Sequence, residues 1–186
     1  MRSIFQGKIL TLPNVLSFLR LCLIPCFVWT YLAKEDYTMT ALILLLSGLT
    51  DTIDGRIARR FNMVSNLGKA LDPLADKLTQ IAMLFCLSYR FPNILIPLVA
   101  LCAKEVFCAS TSLILIRNTG EVKSADWHGK VTTTLLYATM ILHLIWPGIT
   151  PQLSSVMIAL CTAMILLSGV LYGIRNIGAI NAARRA

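Results

Sequence analysis

The residues with the most chemistry in them are four aspartates in two close pairs, Asp51 with Asp54 and Asp72 with Asp76. An i, i+3 pair and an i, i+4 pair each share one face of a helix. The short connection over 60–67 predicts that two such helices are antiparallel neighbours. Carboxylates converging in a poorly hydrated place repel one another and lose their solvation. Divalent cations relieve both problems, and hard oxygen ligands suit Mg²⁺ or Mn²⁺, with two ions about 3.5–4 Å apart bridged by the set. Such ions keep coordination positions for phosphate oxygens, so a phosphate-bearing substrate is expected. Gly55 and Gly68 leave room for a bulky ligand or the facing helix, and Ala58 is small for the same reason. Arg59 follows one turn after Asp54-Gly55, where a guanidinium can hold a diphosphate oxygen. The plain structural alternative is a set of helix ends neutralised by Arg56, Arg59, Arg60 and Lys69. A cation-transport site is another, although it more naturally places acids at mid-membrane on broken helices.

What must position these residues is a membrane-embedded helical chain. Of 186 residues, 56% are hydrophobic and 14% charged, and the mean hydropathy is +0.72. Soluble domains carry about a quarter charged residues, and disorder requires the opposite composition. Apolar runs at 15–32, 39–50 (continuing into polar 51–60), 70–88, 93–116, 131–146 and 154–172 predict six transmembrane helices. The fold class is therefore all-α, a polytopic membrane protein, with one domain over 1–186. Residues 1–11, with Arg2 and Lys8 among apolar side chains, predict a short N-terminal interfacial helix. The next run continues past Leu32 and contains Arg20, so it reads as a first span rather than a signal peptide. Pro13-Asn14 marks its start.

The formal charge is +8. With the N-terminus inside, twelve Lys and Arg fall on inner segments, Arg117, Lys123 and Lys130 among them, against Lys34 and Arg90 outside. That asymmetry assigns the charge to an anionic lipid surface on the cytoplasmic side and not to nucleic acid. The six cysteines form no CxxC pair and read as small buried hydrophobes.

The pattern D-x2-D-G-x2-A-R-x8-G-x3-D-x3-D is filled by Asp51, Asp54, Gly55, Ala58, Arg59, Gly68, Asp72 and Asp76. It resembles the signature of the CDP-alcohol phosphatidyltransferases, and size and topology extend the resemblance over essentially the whole chain. The resemblance implies transfer of a phosphatidyl group from a CDP-linked donor such as CDP-diacylglycerol to an alcohol, with release of CMP. It implies Asp51, Asp54 and Asp72 as metal ligands, and Asp76 as both ligand and general base. Gly55, Ala58, Arg59, Ser65 and Gly68 would bind the donor, with Pro13 and Asn14 lining the nucleotide pocket. It further implies a homodimer in a bacterial inner membrane, its active site facing the cytoplasm. An intramembrane prenyltransferase, the other class using Mg²⁺ and helix-borne aspartates on a diphosphate, fits less well because the motif is single and compact.

For the acceptor, segments 12–20, 24–25 and 71–77 look most like phosphatidylglycerophosphate synthases, and Gly129-Lys130-Val131-Thr132 resembles an element of the same group. Glycerol 3-phosphate is then the expected alcohol, with Lys104, Arg117 and Lys130 as its cations. Lys104 lies deep in the fourth span, where an ammonium serves a ligand, pairs with an acid or snorkels. The chain departs from that group at Lys104-Glu105, where Arg-Glu is typical, and at Ser112, where a further Arg is typical. Cardiolipin synthases, with phosphatidylglycerol as acceptor, are the nearest alternative; inositol phosphate or serine acceptors stay open. His128 beside Trp127 reads as an interfacial aromatic anchor, and His143 as a satisfied buried histidine. Trp29, Tyr31 and Trp146 read as aromatic-belt residues, and Arg20 as reaching the carboxylate cavity or pairing with one of its acids.

Overall fold

The computed structural model describes the backbone of residues 12–60, 66–119, 127–146 and 148–185, and side chains over 15–50, 72–117, 127–146 and 148–183. The interfacial helix expected over 1–11 lies outside the described residues. The elements are α1 (Leu12–Leu32), α2 (Tyr37–Arg60), α3 (Asn66–Ser88), a 3₁₀ turn (Pro92–Ile94), α4 (Leu95–Thr119), α5 (Trp127–Ile145) and α6 (Pro151–Arg185). No strand occurs among the described residues.

These helices stand where the six apolar runs predicted them. Three contain stretches long and apolar enough to cross a membrane, Val15–Leu32, Pro92–Arg117 and Pro151–Ala183. The apolar part of α2, Tyr37–Thr50, is shorter, and the helix carries on through the polar motif to residue 60. Large apolar side chains such as Leu46, Val106 and Val170 are exposed, which suits lipid and not water. Helix α6 runs well beyond the end at 172 predicted from hydropathy. Its 35 residues span about 52 Å, more than the ~30 Å of a hydrocarbon core. The stretch 173–185 holds no proline and includes alanines at 179, 182 and 183, so nothing stops the helix after Tyr172.

The chain forms two compact units, Met1–Cys86 with Leu144–Pro147, and Leu87–His143 with Gly148–Ala186. In the first, α1 and α2 pack as a hairpin. Glu35 takes the left-handed conformation (φ 53°) in the turn, and Asp36 caps α2 by accepting the Met39 N–H at 2.9 Å. Thr30 and Thr40 hydroxyls meet across the hairpin at 3.0 Å, above a core that includes Phe27 and Leu44. Tyr31, expected in the aromatic belt, is instead buried with its ring edge-on to Tyr37 at 5.3 Å. Trp29 and Trp146 are exposed, as belt residues should be. Helix periodicity cannot separate these aromatics, because all three stand near helix ends.

In the second unit α4 packs on α6. Gly169 and Gly173 stand one turn apart on α6, and small residues at this spacing let helices approach closely. A Cβ on Gly173 would lie 2.8 Å from Phe107 Cε1, and one on Gly169 would lie 3.1 Å from Lys104 Cγ. Two histidines tie α5 to α6. His128 Nδ1 lies 3.0 Å from Ser168 Oγ. His143 Nδ1 faces the Thr139 carbonyl at 2.8 Å, so it carries the proton, and Nε2 accepts the Ser154 hydroxyl at 2.9 Å. His143 is thus the satisfied buried histidine the sequence suggested. Cys86 and Cys161 are buried, but Cys22 and Cys26 are exposed on α1, contrary to expectation. In lipid an exposed thiol still behaves as a small hydrophobe, so the sequence pattern does not tell the two cases apart.

The Gly173 contact gives a direct test. Gly173→Val is expected to destabilise the protein by about 1–3 kcal/mol through overpacking, read as a lower unfolding temperature in detergent. Phe107→Ala in the same chain should recover part of the loss, whereas an unchanged unfolding temperature in the single variant would contradict the close approach.

Candidate active site

The two halves of the aspartate pattern lie on consecutive helices. Asp51 and Asp54 stand one turn apart on α2, and Asp72 and Asp76 one turn apart on α3. Asp51, Asp54, Gly55, Ala58, Arg59 and Gly68 are placed by backbone alone, as are Pro13 and Asn14 at the start of α1. Ser65 lies outside the described residues.

On α3 the side chains show how the carboxylates are held. Asp72 is 41% exposed, and its Oδ1 pairs with the Arg20 guanidinium at 3.1 Å. The same oxygen accepts the Ser17 hydroxyl at 3.3 Å. Arg20 is 1% exposed. A charge buried to that extent is tolerated only when paired, so of the two readings of Arg20, pairing with an acid is the one observed. The described residues engage only one oxygen of Asp72, which leaves the other as a hard donor. Asp76 Oδ2 receives the Gln80 amide at 2.9 Å, and Gln80 is buried one turn further along α3. This donor set fits a divalent cation: ionised carboxylates, each oriented by a buried partner, on a face where two further aspartates are expected. Among the described residues alone no three ligands gather.

Gln80, Ser17 and Arg20 are the positioning residues that sequence reasoning missed or left open. A faint signal exists, because Gln80 follows Asp76 by four residues inside an apolar run, and Ser17 precedes Arg20 by three.

The expected acceptor cations divide. Lys104 is almost fully buried, and its Nζ pairs with Glu105 at 2.7 Å. It also stands 5.7 Å from the centre of the Tyr172 ring, and the Arg175 guanidinium lies 4.8 Å from the same ring. His128 meets that ring edge-on at 4.7 Å. It is buried, which corrects its reading as an interfacial anchor; Trp127 is the exposed residue of that pair. Arg117 and Lys130 are exposed, and neither contacts this cluster among the described residues. Lys104 and Arg175 thus both stand beside the Tyr172 ring.

Arg20→Met would leave Asp72 without its buried counter-charge. Metal-dependent release of CMP is expected to fall about 10–100-fold, the usual effect of removing a residue that orients a metal ligand. Equal turnover of variant and parent at saturating Mg²⁺ would show that Asp72 needs no such orientation.

The sequence profile described as CDP-alcohol phosphatidyltransferase matches residues 10–170. The chain is 36% identical over 143 residues to "Cardiolipin synthase (CMP-forming)" of Streptomyces coelicolor, covering 74% of this chain and 66% of that protein. It is 32% identical over 149 residues to "CDP-diacylglycerol--glycerol-3-phosphate 3-phosphatidyltransferase" of Bacillus subtilis, covering 71% and 77%. A "Putative cardiolipin synthase" of Mycobacterium tuberculosis is 44% identical over 78 residues, covering 42% of this chain and 37% of that one. The match thus spans two thirds or less of the relatives named for cardiolipin and over three quarters of the Bacillus one. With the profile matched over most of its length and the eight-position aspartate pattern complete on two consecutive helices, the chain belongs to the CDP-alcohol phosphatidyltransferase family.

Proposed function

We propose that the protein is an integral-membrane phospholipid synthase that transfers the phosphatidyl group of CDP-diacylglycerol to glycerol 3-phosphate and releases CMP. The observation that carries this reading is the complete pattern on α2 and α3, with Asp72 and Asp76 each held by a buried donor. Asp51, Asp54, Asp72 and Asp76 would hold two divalent ions, Mg²⁺ or Mn²⁺, which when bound neutralise the diphosphate and stabilise charge on departing CMP. Gly55, Ala58, Arg59, Ser65 and Gly68 would receive the CDP moiety, with Pro13 and Asn14 on its nucleotide side.

Asp76 takes the proton of the acceptor hydroxyl as that oxygen attacks the lipid-side phosphorus in line. The bond from that phosphorus to the CMP oxygen breaks. A carboxylate with a reference pKa of about 3.9 is a weak base at neutral pH, so proton transfer is only partial as the new bond forms. The Gln80 contact to Asp76 Oδ2 keeps the carboxylate from reorienting during the step. One in-line displacement suffices, with no covalent enzyme intermediate.

An anionic acceptor needs cations. Lys104 and Arg175, gathered at Tyr172, supply them, while exposed Arg117 and Lys130 add to the field that draws the anion in. The similarity to the Bacillus protein supports the same acceptor. The excess of basic residues on inner segments supports a bacterial inner membrane with the aspartate motif on the cytoplasmic side. A homodimer is the assembly we expect.

A second reading, phosphatidylglycerol as acceptor, is favoured by the Streptomyces similarity and by one contact. Ser112 is bound by the Asn176 amide at 3.3 Å, a neutral pair at a position where glycerophosphate-accepting relatives are expected to carry a cation.

Detergent-purified protein with CDP-diacylglycerol and Mg²⁺ is expected to release CMP when glycerol 3-phosphate is added. Asp76→Asn should lower that rate by about 10²–10⁴-fold, the range for a general base. Phosphatidylglycerol, inositol phosphate, inositol and serine are offered separately. Release with phosphatidylglycerol alone would replace the first reading by the second, and release with none would overturn both.

A further inference from the structure

We infer that Ser47 is a positioning residue for Asp51, its buried hydroxyl orienting that carboxylate for a divalent cation. The inference rests on the reading of the aspartates as metal ligands and deepens it. Ser47 is 1% exposed, and its Oγ has no hydrogen-bond partner among the described residues. The other buried serines and threonines all have one. Six buried threonines turn back on a carbonyl three or four residues earlier. Ser17, Ser154 and Ser168 each bond another side chain. Ser47 does neither. An unpaired buried hydroxyl costs free energy, and the cost is recovered when an acceptor takes its proton in a hydrogen bond.

Register points to the acceptor. Thr40, Leu44 and Ser47 are buried at successive spacings of four and three, and the same rhythm continues to Asp51 and Asp54. Asp51 is thus the carboxylate one turn from Ser47 on the same face of α2. The hairpin sets its depth. Thr30 meets Thr40 at 3.0 Å, Arg20 lies ten residues before Thr30, and Thr50 lies ten after Thr40. Two antiparallel helices of equal rise therefore bring Arg20 level with Thr50 and Asp51. Arg20 holds Asp72 at 3.1 Å, and all these residues belong to the first compact unit. Helices α2 and α3 then follow one plan. On α3, buried Gln80 stands one turn further into the apolar part of the helix than Asp76 and donates to its carboxylate at 2.9 Å. Ser47 takes the equivalent place on α2, one turn from Asp51 and inside the apolar stretch Tyr37–Thr50. A donor on one carboxylate oxygen holds the other for the ion, and outer partners of this kind raise metal affinity.

The test titrates Mn²⁺ alone into the full-length protein in detergent, without substrate, and reads the free ion by electron paramagnetic resonance. Ser47→Ala is expected to weaken Mn²⁺ binding about tenfold or more, the usual effect of removing a residue that orients a metal ligand. Its unfolding temperature in EDTA should equal or exceed the parent's, because an unpaired hydroxyl contributes no bond to the metal-free protein. A serine kept only for packing would give the opposite pair, a lower unfolding temperature and parental Mn²⁺ affinity. In an Asp51→Ala background, Ser47→Ala should change the binding by the remaining aspartates by less than about twofold, since the group it orients is gone. A further loss there would show that the hydroxyl serves another group and would overturn the inference. Parental Mn²⁺ affinity in Ser47→Ala, or a lower unfolding temperature in EDTA, also overturns it while leaving the proposed activity standing. Weakened binding in Ser47→Ala upholds it even if no acceptor yields CMP. A parent that binds no Mn²⁺ overturns it along with the metal-ligand reading beneath it.

Discussion

An ionised side chain inside a membrane must be neutralised by a partner or employed on a ligand, because leaving it alone in hydrocarbon is too costly. In this chain the constraint decides where its charged residues stand. Arg20, buried on α1, ends on Asp72 of α3. Lys104, buried on α4, ends on Glu105. Neither pair fully neutralises its surroundings: Asp72 keeps an oxygen that the described residues do not engage, and Lys104 shares its ring with a second cation, Arg175.

The same constraint explains the polar residues on apolar helices. Ser17, Gln80, Ser168 and Asn176 are buried, and each bonds another polar side chain. A hydroxyl or amide is the least expensive group that can aim a charge in a place without water. Arg20 and Ser17 both reach the same oxygen of Asp72, which fixes its rotamer and presents the other oxygen. Small residues do the complementary work. Gly169 and Gly173 bring α6 close to α4, and without that approach Lys104 and Tyr172 would not share a site.

Much of this was legible in the sequence because a helix has a fixed period. The six apolar runs became six helices, and the motif fell on α2 and α3 as its spacing required. The satisfied histidine at 143 and a partner for Arg20 among the acids follow from the rarity of lone polar groups in apolar runs. What periodicity cannot give is the rotation of one helix against another. Whether Tyr31 faces lipid or core, and whether His128 sits at an interface or under Tyr172, depends on that rotation. The length of α6 escaped for a different reason: Arg175 and Asn176 interrupt the apolar run after Tyr172, but two polar residues do not end a helix, and α6 continues to Arg185.

The limits of the motif also define where specificity must arise. Aspartates that bind metal and diphosphate treat every CDP-linked donor alike, so the choice of alcohol has to come from groups outside the pattern. The unit built on α4, α5 and α6 holds polar groups of two kinds. Lys104 and Arg175 stand beside the Tyr172 ring, and Asn176 with Thr111 and Ser112 forms an uncharged set. The Thr111 hydroxyl is committed to carbonyls of its own helix, at Phe107 and Cys108, so toward Asn176 it acts as acceptor, and the amide nitrogen must point at it. The Asn176 carbonyl oxygen then faces away, buried and with no partner among the described residues. A buried acceptor left in this way costs free energy until a donor reaches it.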